Sequence, residues 1–160
     1  MTSRDLDQPA EGRIVAAAHR FPLRVYFEDT DLSGIVYHAN YLRYMERARS
    51  DMLRLVGIDQ RAHQENGGGA YAVTALNMRY RAPARLDDAL VVVTTLQTVR
   101  AASVDIQQRV MRGTTILTEA DVTAALVAQS GRPVRQPKEW IAAFAQVMGE
   151  RATGSGESLT

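Results

Sequence analysis

Between Tyr26 and Tyr41 the chain gathers Glu28, Asp29, Thr30, Asp31, Ser33, Gly34, Tyr37, His38 and Asn40 into one short junction. An alternating run, Leu23 to Phe27, leads into it, and a helix-periodic segment, Tyr41 to Val56, leads out. A carboxylate can serve as general base or as nucleophile. At a helix N-terminus, unpaired backbone N–H groups and the positive end of the dipole can hold a developing negative charge. That combination has the layout of a site rather than of a core.

Asp31 lies nearer the glycine and the helix start than Asp29 and is the functional acid of the pair. Asp29 is read as a loop-fixing acceptor, or as a like charge that raises the pKa of its neighbour. Gly34 serves either a backbone turn or the close approach of a ligand. His38 is a base, a donor, a metal ligand or a packing residue. Glu46 is a partnered acid beside an apolar helix face or a second catalytic carboxylate, and Arg47 with Asp51 forms a surface i,i+4 pair.

Other chemistries find no support. The chain has no cysteine and no His-Glu-x-x-His pattern, and His19 and His63 stand in segments without ligand spacing, so no metal site is expected. No Gly-x-Ser-x-Gly elbow, Walker loop or dinucleotide-binding glycine pattern occurs, and no cofactor is called for. The arginines Arg79, Arg81, Arg85, Arg100, Arg109 and Arg112 are mostly surface charge, with a few available for phosphates.

These residues need elements to hold them. Leu23, Val25 and Phe27 alternate as in a half-buried strand. Tyr41, Met45, Ala48, Met52, Leu55 and Val56 follow at offsets of 4, 7, 11, 14 and 15, one face of a helix that Leu42, Leu53 and the stem of Arg49 widen. Gly57 stops it. Asn40 is a candidate cap, unless helical structure begins as early as Gly34. Gln60 to Gly69 reads as a glycine-rich loop. Strand-like segments follow at Tyr71 to Arg81, Ala89 to Arg100, Ser103 to Arg112 and Ile116 to Gln129, with breaks short enough for antiparallel neighbours. A helix over Pro137 to Met148 closes the order. One such sheet leaves edges and an apolar flank uncovered, which argues for dimerisation.

At 160 residues, 46% apolar and 23% charged, the chain is one globular domain of class α+β. Residues 1–20 read as a flexible arm with a short helical turn around Ile14 to Arg20. Residues 21–149 form the folded unit, and 150–160 have the composition of a disordered tail. A net charge of +1 gives no global attraction to nucleic acid or to an anionic membrane. No apolar run approaches the ~20 residues of a bilayer span. A cytoplasmic protein is expected.

The run Asp29-Thr30-Asp31-x-x-Gly34-x-Val36-Tyr37-His38-x-Asn40-Tyr41, followed by Met45-Glu46-Arg47-Ala48-Arg49, resembles the hotdog-fold acyl-CoA thioesterases. It is most similar to their Tol–Pal-associated (YbgC-type) branch, related to 4-hydroxybenzoyl-CoA thioesterase. The likeness continues through Arg79 to Asp88 and Gly131-Arg132-Pro133. It implies a five-stranded antiparallel sheet around a long central helix, with a C-terminal helix. It also implies acyl-CoA hydrolysis with Asp31 as catalytic carboxylate and a backbone N–H near His38 polarising the thioester carbonyl. Gly34, Tyr37 and His38 would position substrate, with Asp29, Asn40 and Glu46 in supporting places. Acyl carrier protein is an alternative acyl donor, and a homodimer or homotetramer with substrate across a subunit interface is implied. A non-catalytic acyl-CoA-binding or Tol–Pal scaffolding module is the competing reading.

Overall fold

A computed structural model describes residues 6–154. Its elements are β1 (Arg13–Val15), β2 (Ala18–Arg24), α1 (Asn40–Leu55), α2 (Gln60–Glu65), β3 (Ala70–Tyr80), β4 (Ala89–Val99), β5 (Ser103–Arg112), β6 (Thr115–Val127) and α3 (Lys138–Gly154). The strands form one antiparallel sheet in the order β1-β2-β4-β5-β6-β3.

Alternation builds the inner face of this sheet. Leu90, Val92, Thr94 and Leu96 of β4 point inward beside Val104, Ile106, Gln108 and Val110 of β5. From β6, Leu117, Ala120, Val122, Ala124 and Leu126 complete the layer. The face of α1 that meets them carries Tyr41, Tyr44, Met45, Ala48, Met52 and Leu53, all buried. The sheet thus curls around α1 as the resemblance implied. The expected face was nearly right: Leu55 and Val56 are half-buried, and Leu42 is exposed.

The sheet has six strands, not five, because the expected arm is a hairpin. Arg13–Val15 pairs with Ala18–Arg20, and β2 then pairs along its whole length with β4. Ala16 and Ala17, at the two turn positions, take φ of 50° and 64°. A two-residue hairpin turn of this hand needs positive φ at both positions and usually announces itself with Asn or Gly. Two alanines send no such signal, and each left-handed residue costs roughly 1–2 kcal/mol. What holds the hairpin lies elsewhere in the chain. Asp51 of α1 accepts from the Gly12 N–H at 2.9 Å and lies 2.7 Å from His19 Nε2.

Three further boundaries differ. β2 ends at Arg24, since Asp29 Oδ2 captures the Tyr26 N–H at 2.8 Å and turns Phe27–Asp29 into a 3-10 turn with Phe27 exposed. Asp59 caps α2 by accepting from Ala62 N at 3.0 Å, making a helix of part of the expected loop. Helix α3 runs to Gly154, beyond the expected boundary at 149, and the remainder of the expected tail, 155–160, lies outside the described residues.

Candidate active site

The site is built on the segment between β2 and α1. Asp29 is its anchor: buried at 7% exposure, it ties Tyr26 with its carboxylate, while its carbonyl accepts both the Tyr37 N–H at 2.9 Å and the Asn40 side-chain amide at 2.8 Å. Tyr44 of α1 brings its buried hydroxyl beside that carboxylate. Burial, and then the Asp29 charge, push the phenol up. Asn40 is therefore not the cap of α1. Ala39 holds that position, and Asn40 spends its side chain on the loop.

Within the frame set by Asp29, residues 30–36 close a small loop. Thr30 bridges to Val36, Ile35 bridges to Arg85, and the Val36 N–H donates to Ala84 O at 2.9 Å. Asp31 stands at the solvent-exposed tip. Its Oδ1 accepts from the Ser33 N–H at 2.8 Å and from the Ser33 hydroxyl. These two hydrogen bonds, with a smaller contribution from the charge of nearby His38, hold the Asp31 carboxyl below its ordinary value. Gly34 has φ +80 and open space where a Cβ would sit, so the glycine serves the turn and not a steric clearance.

His38 occupies the last turn before α1. Its ring packs edge-on against Tyr37 at 4.5 Å and Tyr80 at 6.3 Å. The Tyr80 hydroxyl donates to His38 O at 2.9 Å. Tyr41 in turn receives the Ala84 N–H at 3.0 Å, fastening the start of the helix to the loop after β3. Among the described residues neither the His38 N–H nor the Ala39 N–H donates to a backbone carbonyl, whereas those of Tyr37 and Asn40 do. An ionised carboxylate whose Oδ2 takes no bond from Ser33 thus lies within electrostatic reach of His38, a residue with an unspent amide just before α1. Those are the parts of base or nucleophile chemistry with oxyanion support.

Asp29, Asp31, Gly34, Tyr37, His38 and Asn40 therefore converge. Glu46 does not join them: it lies nearly two turns into α1, on the wall of a cavity shared with Arg49. Sequence reasoning assigned no role to two participants, Ser33 and Tyr80. Ser33 was detectable, since a hydroxyl two residues after an aspartate is a turn signature. Tyr80 was not, for nothing near it marks a partner 42 residues away. Away from the site, Asp51, expected as the surface partner of Arg47, is buried and pairs with His19 instead. Three of the six arginines are committed to ion pairs: Arg81 to Glu119, Arg100 to Asp105 and Arg112 to Asp88.

Comparison with known proteins agrees with this architecture. The family described as the thioesterase-like superfamily matches residues 25–145. The acyl-CoA thioesterase YbgC of Haemophilus influenzae is 44% identical over 125 residues, spanning 78% of this chain and 92% of that protein. The acyl-CoA thioester hydrolase YbgC of Escherichia coli O157:H7 is 40% identical over 129 residues, covering 79% and 96%. A probable thioesterase from Bartonella henselae superposes with a TM-score of 0.71 at 34% identity, over 75% of this chain and 99% of that one. The chain belongs to the thioesterase-like superfamily, alongside the YbgC acyl-CoA thioesterases.

Proposed function

We propose that the protein hydrolyses acyl-CoA thioesters to the free acid and CoA, with Asp31 as the reacting carboxylate and the His38 N–H as oxyanion donor. The observation that carries this is the pairing of an exposed, ionised Asp31 with an unspent amide at the N-terminus of α1. Thiolates leave readily, so the chemical demand falls on the carbonyl oxygen. A single well-placed donor to it is worth about 3 kcal/mol.

Two routes use the same atoms. Asp31 Oδ2 attacks the carbonyl carbon, the oxyanion rests on the His38 N–H, and collapse expels the CoA thiolate to leave a mixed anhydride that water cleaves. Alternatively Asp31 takes a proton from water, whose oxygen attacks in its place. Tyr37 and His38 form the aromatic wall against which substrate lies, and Asp29 and Asn40 hold the loop to the helix. Glu46 stands too far along α1 for this role. Acyl groups on acyl carrier protein meet the same chemistry, and CoA thioesters place the action in the cytoplasm.

The working unit in this reading is at least a dimer. β3 is an eleven-residue edge strand with Val73, Leu76 and Tyr80 exposed at 49%, 44% and 50%. A long apolar edge invites pairing with a second copy. Tyr80 links that edge to His38, so a partner seated on β3 lies against the site. The deciding experiment is thiol release from short, long, branched and aryl acyl-CoAs by wild type and Asp31→Asn. Turnover that collapses in a folded variant supports the proposal. Inactivity of wild type on every CoA and carrier-protein thioester would overturn it.

A further inference from the structure

A second feature stands apart from the loop of Asp31. Between α1, the sheet and α3 lies a cavity of about 210 Å³. Met52, Leu53, Leu96, Val104, Ile106 and Phe144 form its apolar side, and Glu46, Arg49, Ser50 and Gln60 add polar groups to the wall. An apolar cavity of ~150 Å³ accepts benzene. This one has room for a single ring or a short chain, and it contains a cation.

Arg49 is unusually placed. Its Nη1 donates to Gln108 Oε1 at 2.8 Å. Gln108 is fully buried and spends its amide nitrogen on Met45 O at 2.9 Å and Thr94 Oγ1 at 3.0 Å. With the nitrogen so committed, the oxygen of Gln108 must face Arg49, which leaves the guanidinium with a neutral partner. Among the described residues Arg49 makes no ion pair. Glu46, one turn earlier, acts on it only through space. Desolvation lowers the Arg49 pKa, and the Glu46 charge opposes that shift. A guanidinium carries five donors in a planar fork suited to a carboxylate.

We infer that this cavity binds a carboxylate on a short apolar stem, with Arg49 as its counter-cation. The stem fills the space among Leu96, Ile106 and Phe144, and the carboxylate takes the guanidinium donors that Gln108 leaves free. Two sources share this chemistry: a free monocarboxylic acid, and an acyl thioester whose acyl group ends in a second carboxylate.

The probe is built into the chain. Trp140 is its one tryptophan, buried, with its ring 5.9 Å from that of Tyr71, which lines the cavity. Titration of the full-length protein with hexanoate and benzoate, against hexanol and benzyl alcohol, is followed by Trp140 fluorescence and by calorimetry. The carboxylates are expected to bind at least tenfold more tightly than the alcohols. Arg49→Met should abolish that preference, and Arg49→Lys should retain much of it. Because Arg49 also holds Gln108, the exposed Glu46→Gln is the safer variant; removing the competing anion should tighten carboxylate binding several-fold. Equal affinity for acids and alcohols in wild type, or a preference untouched by Glu46→Gln and Arg49→Met alike, would overturn the inference.

The sources separate in a further arm, which alone rests on the proposed hydrolase reading. If Arg49→Met lowers kcat/KM for adipoyl-CoA relative to hexanoyl-CoA, the ligand is the far end of an acyl group. If that ratio is unchanged while hexanoate binding is lost, it is a free acid. A wild type inactive on all thioesters would sink the hydrolase reading and leave the binding result intact.

Discussion

The Asn40 side chain of α1 donates to the carbonyl of Asp29 at 2.8 Å, inside a buried corner of the molecule. The same carbonyl accepts the Tyr37 N–H, so one oxygen sets the angle between the loop that carries Asp31 and the helix that carries the oxyanion amide. Asn40→Ala removes the side-chain half of this clasp and leaves the backbone half. The expected cost is about 1 kcal/mol, a fall in Tm of roughly 2–4 °C for a chain of this size. If the clasp positions the His38 N–H, kcat should drop about tenfold with KM little changed. Thermal unfolding alongside steady-state kinetics checks both; a loss of Tm with kcat intact would leave Asn40 a purely structural residue.

Asp31 is exposed, and its substitution by Asn should leave the unfolding curve within ~0.5 kcal/mol of wild type while lowering kcat by 10²–10⁴-fold. Single turnover in ¹⁸O-water then separates the two routes. A nucleophilic Asp31 whose anhydride is cleaved by water at the Asp31 carbonyl acquires solvent oxygen in its own carboxyl and passes one of its own oxygens to the product acid. Neither exchange occurs if Asp31 is only a base.

The pH response of Asp31 follows from Ser33. Hydrogen bonds from the Ser33 hydroxyl and amide favour the ionised form, so Asp31 stays charged to a pH below the ordinary value of 3.8. Ser33→Ala removes the largest of these contributions and should move the acid limb of kcat/KM upward. Carboxyl-carbon NMR titration of wild type and Ser33→Ala measures the shift, and an unchanged midpoint would show that the serine does not tune the acid.

His19 and Asp51 make stability depend on pH. Burial is the larger influence on His19 and lowers its pKa from 6.5, with Asp51 opposing. The folded protein therefore resists a proton that the unfolded chain accepts. Stability is complete above about pH 6.5 and falls as pH drops from there toward the folded value. Urea unfolding at pH 7.5 and pH 5.5 should show the difference, and His19→Phe should flatten it. Asp51→Ala orphans both the Gly12 N–H and the histidine, at a cost of ~1–3 kcal/mol.

The β3 edge gives a test of assembly. Leu76→Lys places a charge at the centre of the exposed strand, a device that blocks edge pairing. Light scattering after gel filtration should show wild type at twice the chain mass or more and the variant as monomer, with activity lost in parallel. A variant that keeps both mass and activity would move the interface elsewhere.

The elements were legible where the information was local. Val91 to Thr95 and Ser103 to Arg112 announced themselves as strands through side-chain type and a period of two, and β5 has those bounds. Helix α1 showed its buried face in the spacing of Tyr41, Met45, Ala48 and Met52. The candidate site was legible for the same reason. Asp29 through Asn40 are contiguous, and turn chemistry brings Asp31 and Gly34 together, while Ala84, Arg85 and the Tyr80 hydroxyl fasten the corner.

What remained hidden had been decided over distance. The positive φ of Ala16 and Ala17 conflicts with their own preference, and it holds because β2 is paired to β4 and Asp51 grips Gly12 and His19. Asn40 resembled a cap because Asn favours that place, yet the Asp29 carbonyl competed for its amide and won. Tyr80 meets His38, and Gln108 turns its oxygen to Arg49, only once the sheet has curled around α1. The amino-acid sequence by itself determined the four strands β3 to β6, the central helix and the cluster of chemical groups at its start, because each rests on neighbours within a few residues. Only the tertiary structure decided which polar groups are satisfied, which are left to act and where a charge lies buried, because the partners of those groups are supplied by chain that is distant in sequence and adjacent only in the folded state.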